Sequence, residues 1–64
     1  MKVQVKDSYG NIYEGTLVKV GQKYAYASVE FGFGAETIPF ERTTGRTSQG
    51  YEESRNSIPM FLQK

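Results

Sequence analysis

The sequence predicts a small all-β protein, an SH3-like or OB-like barrel of four to five strands, with a short C-terminal helical turn as its only helix. The N-terminal residues alternate between apolar and polar side chains, as in a strand with one buried face. Several short strand-like runs are separated by clusters of turn-forming residues. With 64 residues, the chain is expected to form one domain over residues 1–64.

The first strand is predicted over residues 1–6, where Val3 and Val5 share one face and polar residues share the other. The turn-forming segment 7–11 then leads into a second strand over residues 12–20. Gly15 lies inside this strand, and an internal glycine often marks a bulge or a sharp bend. A small barrel needs such a bend to close.

A tight hairpin is predicted at Gly21-Gln22, because glycine at the first central position favours a two-residue type II′ turn. Val20 would then pair with Lys23. On one face the predicted pairs are Val18 with Ala25, Thr16 with Ala27, and Glu14 with Val29. On the other face they are Lys19 with Tyr24, Leu17 with Tyr26, and Tyr13 with Glu30.

The third strand is expected to end near Phe31, before a loop over residues 32–35. A fourth strand over residues 36–41 places Ile38 and Phe40 on one face. Pro39 lacks a backbone N–H, so this strand should lie at an edge or contain a bulge. The predicted core is Val3, Val5, Val18, Val20, Ala25, Ala27, Val29, Phe31, Ile38, Phe40 and Phe61.

Residues 42–56 are predicted to form a long polar loop, since Tyr51 is their only large apolar residue. Residues 57–64 have two interpretations. Ser57 could cap a short helix with Pro59 in its first turn, or the segment could form a closing strand. We favour a helical turn that continues into an extended piece.

Composition argues against catalysis. The chain has no Cys and no His, so it offers neither zinc ligands of those types nor thiol or imidazole groups for catalysis. Its acidic residues are scattered, and the adjacent pair Glu52 and Glu53 would diverge on a mobile loop. We therefore expect a protein that is not an enzyme and that needs no cofactor or metal.

A tyrosine-rich sheet face with a neighbouring basic loop is the predicted binding site, because tyrosine combines a rigid ring with a polar tip. Its predicted residues are Tyr13, Leu17, Lys19, Tyr24, Tyr26, Arg42 and Arg46. The alternative interpretation is that these tyrosines only cover the core.

The segment Glu30-Phe31-Gly32-Phe33-Gly34 is weakly similar to the Phe-Gly-Phe pattern on the RNA-binding strand of RRM and cold-shock domains. Glu30 stands where those motifs carry a basic residue, and the two glycines favour a turn. We predict a hairpin loop with Phe31 in the core.

The segments Val18–Tyr26 and Pro39–Arg46 resemble a loose family of short β-barrel proteins of unknown function that occur in bacteriophage genomes. The shared pattern is KVGxKYxY, a later Phe, and then TGR. This resemblance implies a small barrel of phage origin, and it supplies no catalytic residues.

A second resemblance is in layout, to small archaeal chromatin proteins of the Sac7d/Sso7d type. Met1–Lys6, Val20-Gly21 and Thr44-Gly45-Arg46 match their alternating start, hairpin and turn. The net charge of +1 and the absence of Trp differ from that group, so the likeness is used for the fold alone.

The expected function is that of a binding module, phage-encoded, which attaches to a host or phage protein. A net charge of +1 favours a protein partner over nucleic acid, whose phosphates demand more basic surfaces. Single-stranded nucleic-acid binding by aromatic stacking and self-association into a homo-oligomer are the alternatives. No apolar run approaches the roughly 20 residues needed to cross a bilayer, and no signal peptide is recognised, so the expected location is cytoplasmic.

Overall fold

The computed structural model describes residues 1–63, which form five antiparallel strands and one short helix. The elements are β1 (Lys2–Asp7), β2 (Ile12–Val20), β3 (Tyr24–Glu30), β4 (Ala35–Glu41), α1 (Gln49–Arg55) and β5 (Met60–Gln63). The strands make one sheet in the order β4-β3-β2-β1-β5, and the sheet curls into a half-barrel. The predicted all-β fold is therefore confirmed. Lys64, the last residue of the predicted domain, lies outside the described residues.

The two edges of the sheet are joined by residues 45–48, which lie between β4 and β5. Towards β4, the N–H of Glu41 donates to the carbonyl of Arg46 at 2.8 Å. Towards β5, the N–H of Thr47 donates to the carbonyl of Met60 at 2.9 Å. These bonds occupy edge groups that would otherwise pair with another chain. As the position of Pro39 predicted, β4 is a terminal strand of the sheet.

The core lies on the concave face of the sheet. Its buried apolar residues are Val5, Ala25, Ala27, Val29, Ile38, Phe40 and Met60, with Val3, Tyr13, Phe31, Tyr51 and Leu62 packed partly against the main cluster. The prediction was wrong for three residues, since Val18, Val20 and Phe61 are 56%, 53% and 38% exposed. In β5 it is Met60 that is buried.

The β2–β3 hairpin differs from the predicted one at its turn. Val20 pairs with Ala25 instead of Lys23, and the N–H of Gly21 donates to the carbonyl of Tyr24 at 2.8 Å. Gly21 does not adopt the positive φ that a type II′ turn requires at that position. Gln22 and Lys23 therefore occupy the tip, and the pairing is displaced by two residues.

The bulge in β2 is at Val18, and the prediction of a bulge at Gly15 was wrong. Leu17 pairs with Ala27 and Lys19 pairs with Tyr26, so Val18 is the extra residue. Such a residue reverses which face the rest of the strand presents. Leu17 therefore lies on the inner face, and the predicted pair of Leu17 with Tyr26 is not formed.

Gly15 instead allows a close approach between strands. A Cβ atom on this residue would lie 3.1 Å from the backbone carbonyl oxygen of Ser28 and 3.5 Å from methyl groups of Val3 and Val29. The space at this point of the sheet therefore favours glycine.

The predicted polar loop over residues 42–56 contains α1. Ser48 caps this helix by accepting a hydrogen bond from the N–H of Tyr51, and Asn56 ends it in the left-handed conformation with φ 52°. Seven residues with one large apolar side chain give too little periodicity to reveal a helix. The predicted cap at Ser57 is also wrong, because the chain continues into the closing strand β5.

Candidate binding site

Five residues lie together around the tip of the β2–β3 hairpin in the described structure. We call them the hairpin site: Lys19, Lys23, Tyr24, Tyr26 and Arg42. Tyr24 and Tyr26 lie on the outer side of β3 and are half-buried, while Ala25 between them points into the core. Lys19 pairs with Tyr26 across the sheet, so these two side chains share the outer face. Four of the seven predicted site residues therefore meet here.

Each of the two tyrosine rings has a lysine ammonium above it. The Nζ atom of Lys19 is 5.9 Å from the centre of the Tyr26 ring, and that of Lys23 is 5.6 Å from the Tyr24 ring. The two rings meet edge to face, with their centres 6.4 Å apart. A cation–π contact at an exposed site contributes only about 0.5–1 kcal/mol. The ammonium groups can therefore move to a carboxylate on a partner and leave the ring faces available.

Arg42 is held beside the hairpin tip from β4. Its guanidinium donates to the carbonyl of Gly21 at 2.9 Å, and its backbone N–H donates to the carbonyl of Lys23 at 3.2 Å. Glu41 pairs with Tyr24 across the sheet and therefore places a carboxylate on the same face. The hairpin site and Glu41 together contain three cationic side chains and one carboxylate. This part of the surface is therefore more basic than the chain as a whole.

A cleft of about 350 Å³ opens next to the hairpin site, at the same end of the sheet. Its apolar walls come from Leu17, Val20, Ala25 and Leu62, and its polar side is formed by Glu41, Arg42 and residues 43–45. Leu17 is therefore close to the predicted site, although on the inner side of the sheet. The sequence did not indicate Val20 or Leu62 as site residues, because strand alternation assigned Val20 to the core and left the register of the last strand open.

Tyr13 lies apart from the hairpin site, at the other end of β2. It faces inward opposite Val5, and its hydroxyl donates to the Oδ2 atom of Asp7 at 3.0 Å. This hydrogen bond, followed by burial, raises the pKa of the Tyr13 hydroxyl. Tyr13 thus holds the buried carboxylate of Asp7 at the start of the β1–β2 turn.

Burial raises the pKa of Asp7, but hydrogen bonds from the Asn11 side chain and backbone, from Tyr13 and from the Tyr9 N–H outweigh this effect. The pKa of Asp7 is therefore lowered overall, and the carboxylate is charged at neutral pH.

Arg46 forms an ion pair with Glu52 of α1. Its Nε and Nη2 atoms donate to the two carboxylate oxygens of Glu52 at 3.2 and 3.1 Å. The hydroxyl of Thr47 donates to the same carboxylate. The Arg46 hydrogen bond lowers the pKa of Glu52. Arg46 therefore ties α1 to the segment that joins the sheet edges.

Within residues 1–63 no group of three acidic side chains is placed to hold a metal ion. The one helix in that range is too short and too polar to span a bilayer. What the hairpin site offers chemically is stacking on two rings, apolar contact in the cleft and ion pairing with three cations. These are interactions that commonly occur where one protein binds another.

No known family model matches the chain, no curated protein matches its sequence, and no solved structure matches its fold.

Proposed function

We propose that this protein is a non-enzymatic binding module that attaches to a partner protein through the hairpin site. The observation that carries the proposal is the pair Tyr24 and Tyr26, which lie edge to face on the outer side of β3 with a lysine above each ring. Tyrosine and arginine are enriched where protein interfaces concentrate their binding energy. The cleft beside them can receive an apolar side chain of the partner.

The charge of the hairpin site indicates the kind of surface that the partner presents. Lys19, Lys23 and Arg42 favour a partner with exposed carboxylates around an apolar residue. The resemblance of residues 18–46 to phage barrels supports a phage origin, a host or phage protein as partner, and action in the host cytoplasm.

Single-stranded nucleic acid is the second candidate for the same surface, because lysines beside aromatic rings also suit stacked bases and their phosphates. Each stacked base would contribute about 1–3 kcal/mol. The low net charge of +1 makes it the weaker of the two.

The test is a comparison of three proteins as bait in host lysate: wild type, the double variant Tyr24→Ala/Tyr26→Ala, and Tyr9→Ala. Tyr24 and Tyr26 lie outside the buried core cluster, so the double variant should fold. Tyr9 is 79% exposed on another loop and is the matched control. We expect one protein to bind wild type and Tyr9→Ala and to be lost from the double variant. Equal capture by all three would refute the proposal.

A fluorescent oligothymidylate, titrated at low and at high salt, separates the two candidates. Binding that is strong at low salt, falls steeply with salt and needs both tyrosines would replace the protein partner with nucleic acid. Sedimentation of the purified chain completes the comparison. A dimer that dissociates in the double variant would show that the hairpin site joins copies of this chain.

A further inference from the structure

A second pocket lies at the end of the sheet opposite the hairpin tip, where the β1–β2 and β3–β4 loops meet the chain leading into β5. We call it the aromatic pocket. It has a volume of about 220 Å³, and its walls include Asp7, Tyr13, Phe31, Phe33, Glu36, Tyr51 and Ser57. This volume is below the roughly 300–1,000 Å³ of sites for small molecules. It suits a single long side chain.

Three rings form one wall of the aromatic pocket. Tyr13 and Phe31 have their centres 5.2 Å apart and are tilted by 58°, and Phe33 stacks on Phe31 at 5.9 Å and 14°. Phe33 is nevertheless 89% exposed. It follows Gly32, whose φ of 86° lets the loop turn sharply at this point. An exposed ring on a tight loop, stacked on a second ring, is a preformed contact surface.

The charge around these rings is negative. Asp7 is ionised at neutral pH, and no arginine or lysine among the described residues forms an ion pair with it. Glu36 forms an ion pair with Arg55. The buried hydroxyl oxygen of Ser57 has no hydrogen-bond partner within residues 1–63. The pocket therefore combines ring faces, a carboxylate that is hydrogen-bonded within the chain but has no ion pair, and a hydroxyl that can accept a hydrogen bond.

One guanidinium of the chain already lies at the rim of this pocket. The central carbon of the Arg55 guanidinium is 5.6 Å from the centre of the Tyr51 ring, while the group pairs with Glu36. The side chain of Arg55 is 57% exposed and does not itself line the pocket, so it competes only for Glu36. Planar guanidinium groups stack on aromatic faces and pair with carboxylates better than ammonium groups do.

We propose that the aromatic pocket binds an arginine side chain of a partner protein, between the ring wall of Tyr13, Phe31 and Phe33 and the carboxylates. The stem of the arginine would pack on the rings, and its charge would complement Asp7. This pocket and the hairpin site carry opposite charge and lie at opposite ends of the sheet. The inference does not depend on the proposed function of the hairpin site.

The experiment is a titration of the isotope-labelled protein with N-acetyl-arginine amide, followed by the amide signals in NMR spectra. N-acetyl-citrulline amide is the control probe, because citrulline has nearly the same shape as arginine and no charge. We expect saturable shifts at residues lining the aromatic pocket with the arginine probe and shifts at least several-fold smaller with citrulline. Equal responses to both probes, or no response near the pocket, would overturn the proposal.

Two variants are expected to change the affinity for the arginine probe in opposite directions. Phe33→Ala removes an exposed ring, so the fold should persist while the affinity for the arginine probe falls several-fold. Arg55→Gln removes the competing internal guanidinium, so the affinity should rise several-fold. Tyr9→Ala is the control, because the exposed Tyr9 side chain does not line the pocket, and it should leave the affinity unchanged. If Arg55→Gln has no effect or weakens binding, the pocket does not select a guanidinium and the proposal fails.

Discussion

Deletion of a single residue tests whether the bulge at Val18 assigns the faces of β2. In the sheet Leu17 pairs with Ala27, and Lys19 pairs with Tyr26. Without Val18, Leu17 and Lys19 would be adjacent, and their pairs would form a regular ladder without a bulge. All the remaining side chains of β2 would keep their faces. We therefore expect a protein lacking Val18 to fold with the same core and the same hairpin site.

The loss of unfolding free energy caused by deleting Val18 can be calculated from the burial of its side chain. Full burial of a valine contributes about 1.5–3 kcal/mol, and Val18 is 56% exposed, so about 1 kcal/mol of transfer free energy is lost at most. The matched control is deletion of Glu14 from the regular part of the same strand. If the bulge stays, this deletion turns Tyr13 outward, away from Asp7 and Phe31. If loss of the bulge absorbs the deletion, Thr16 takes the place of Gly15, where a Cβ atom would lie 3.1 Å from the Ser28 carbonyl oxygen. Either outcome costs several kcal/mol.

Urea unfolding of the two deletion variants, followed by circular dichroism and tyrosine fluorescence, measures the difference. A domain of this size has a free energy of unfolding of roughly 3–10 kcal/mol, so deletion of Glu14 should leave little folded protein. Deletion of Val18 should lower the midpoint only slightly. If both deletions destabilise the protein equally, the bulge does not set the faces of β2 and the assignment is wrong.

Three further predictions concern stability. Gly15→Ala should destabilise the protein by about 1–3 kcal/mol, because the new Cβ atom would stand 3.1 Å from the Ser28 carbonyl oxygen; an unchanged urea midpoint would contradict this. Gly50→Ala should stabilise it by about 0.5–1 kcal/mol, since Gly50 lies in α1 with nothing within 4 Å of the added atom; a lower melting temperature would count against it. The lowered pKa values of Asp7 and Glu52 contribute stability that is present above their unfolded values of about 4 and is lost as the pH falls through the folded values. Asp7→Asn should therefore lower stability at pH 7 and flatten its acid dependence, and an unchanged slope between neutral and acidic pH would show that Asp7 is not responsible.

The hairpin site shows which strand faces the local sequence pattern could predict and which it could not. Near the turn, the predicted pairing was displaced by two residues, and an even displacement preserves which side chains share a face. Lys19, Tyr24 and Tyr26 were therefore grouped correctly although their partners were wrong. Beyond Val18 the single extra residue reversed the faces, so Leu17 and Tyr13 were misplaced. Nothing in the sequence around Val18 distinguishes a bulge from a regular strand.

The aromatic pocket could not be located from sequence, because its walls come from five separate parts of the chain. The sequence indicated correctly that Phe31 packs against the core before a glycine-rich loop. It did not indicate that Tyr13 and Tyr51 meet that ring at one end of the sheet, or that Arg55 reaches Glu36. Such contacts depend on the strand order and on where α1 is placed.

By itself the sequence determined the all-β class, most strand positions and the inward residues of β3 and β4, because alternation with period two is a local property of an extended chain. Tertiary structure decided the position of the bulge, the joining of the sheet edges by residues 45–48 and the formation of α1. These features depend on hydrogen bonds and packing between segments distant in the chain. A short, polar segment such as α1 is marginal as a helix in isolation, and its distant supports are the packing of Tyr51 against the core and the ion pair of Arg55 with Glu36.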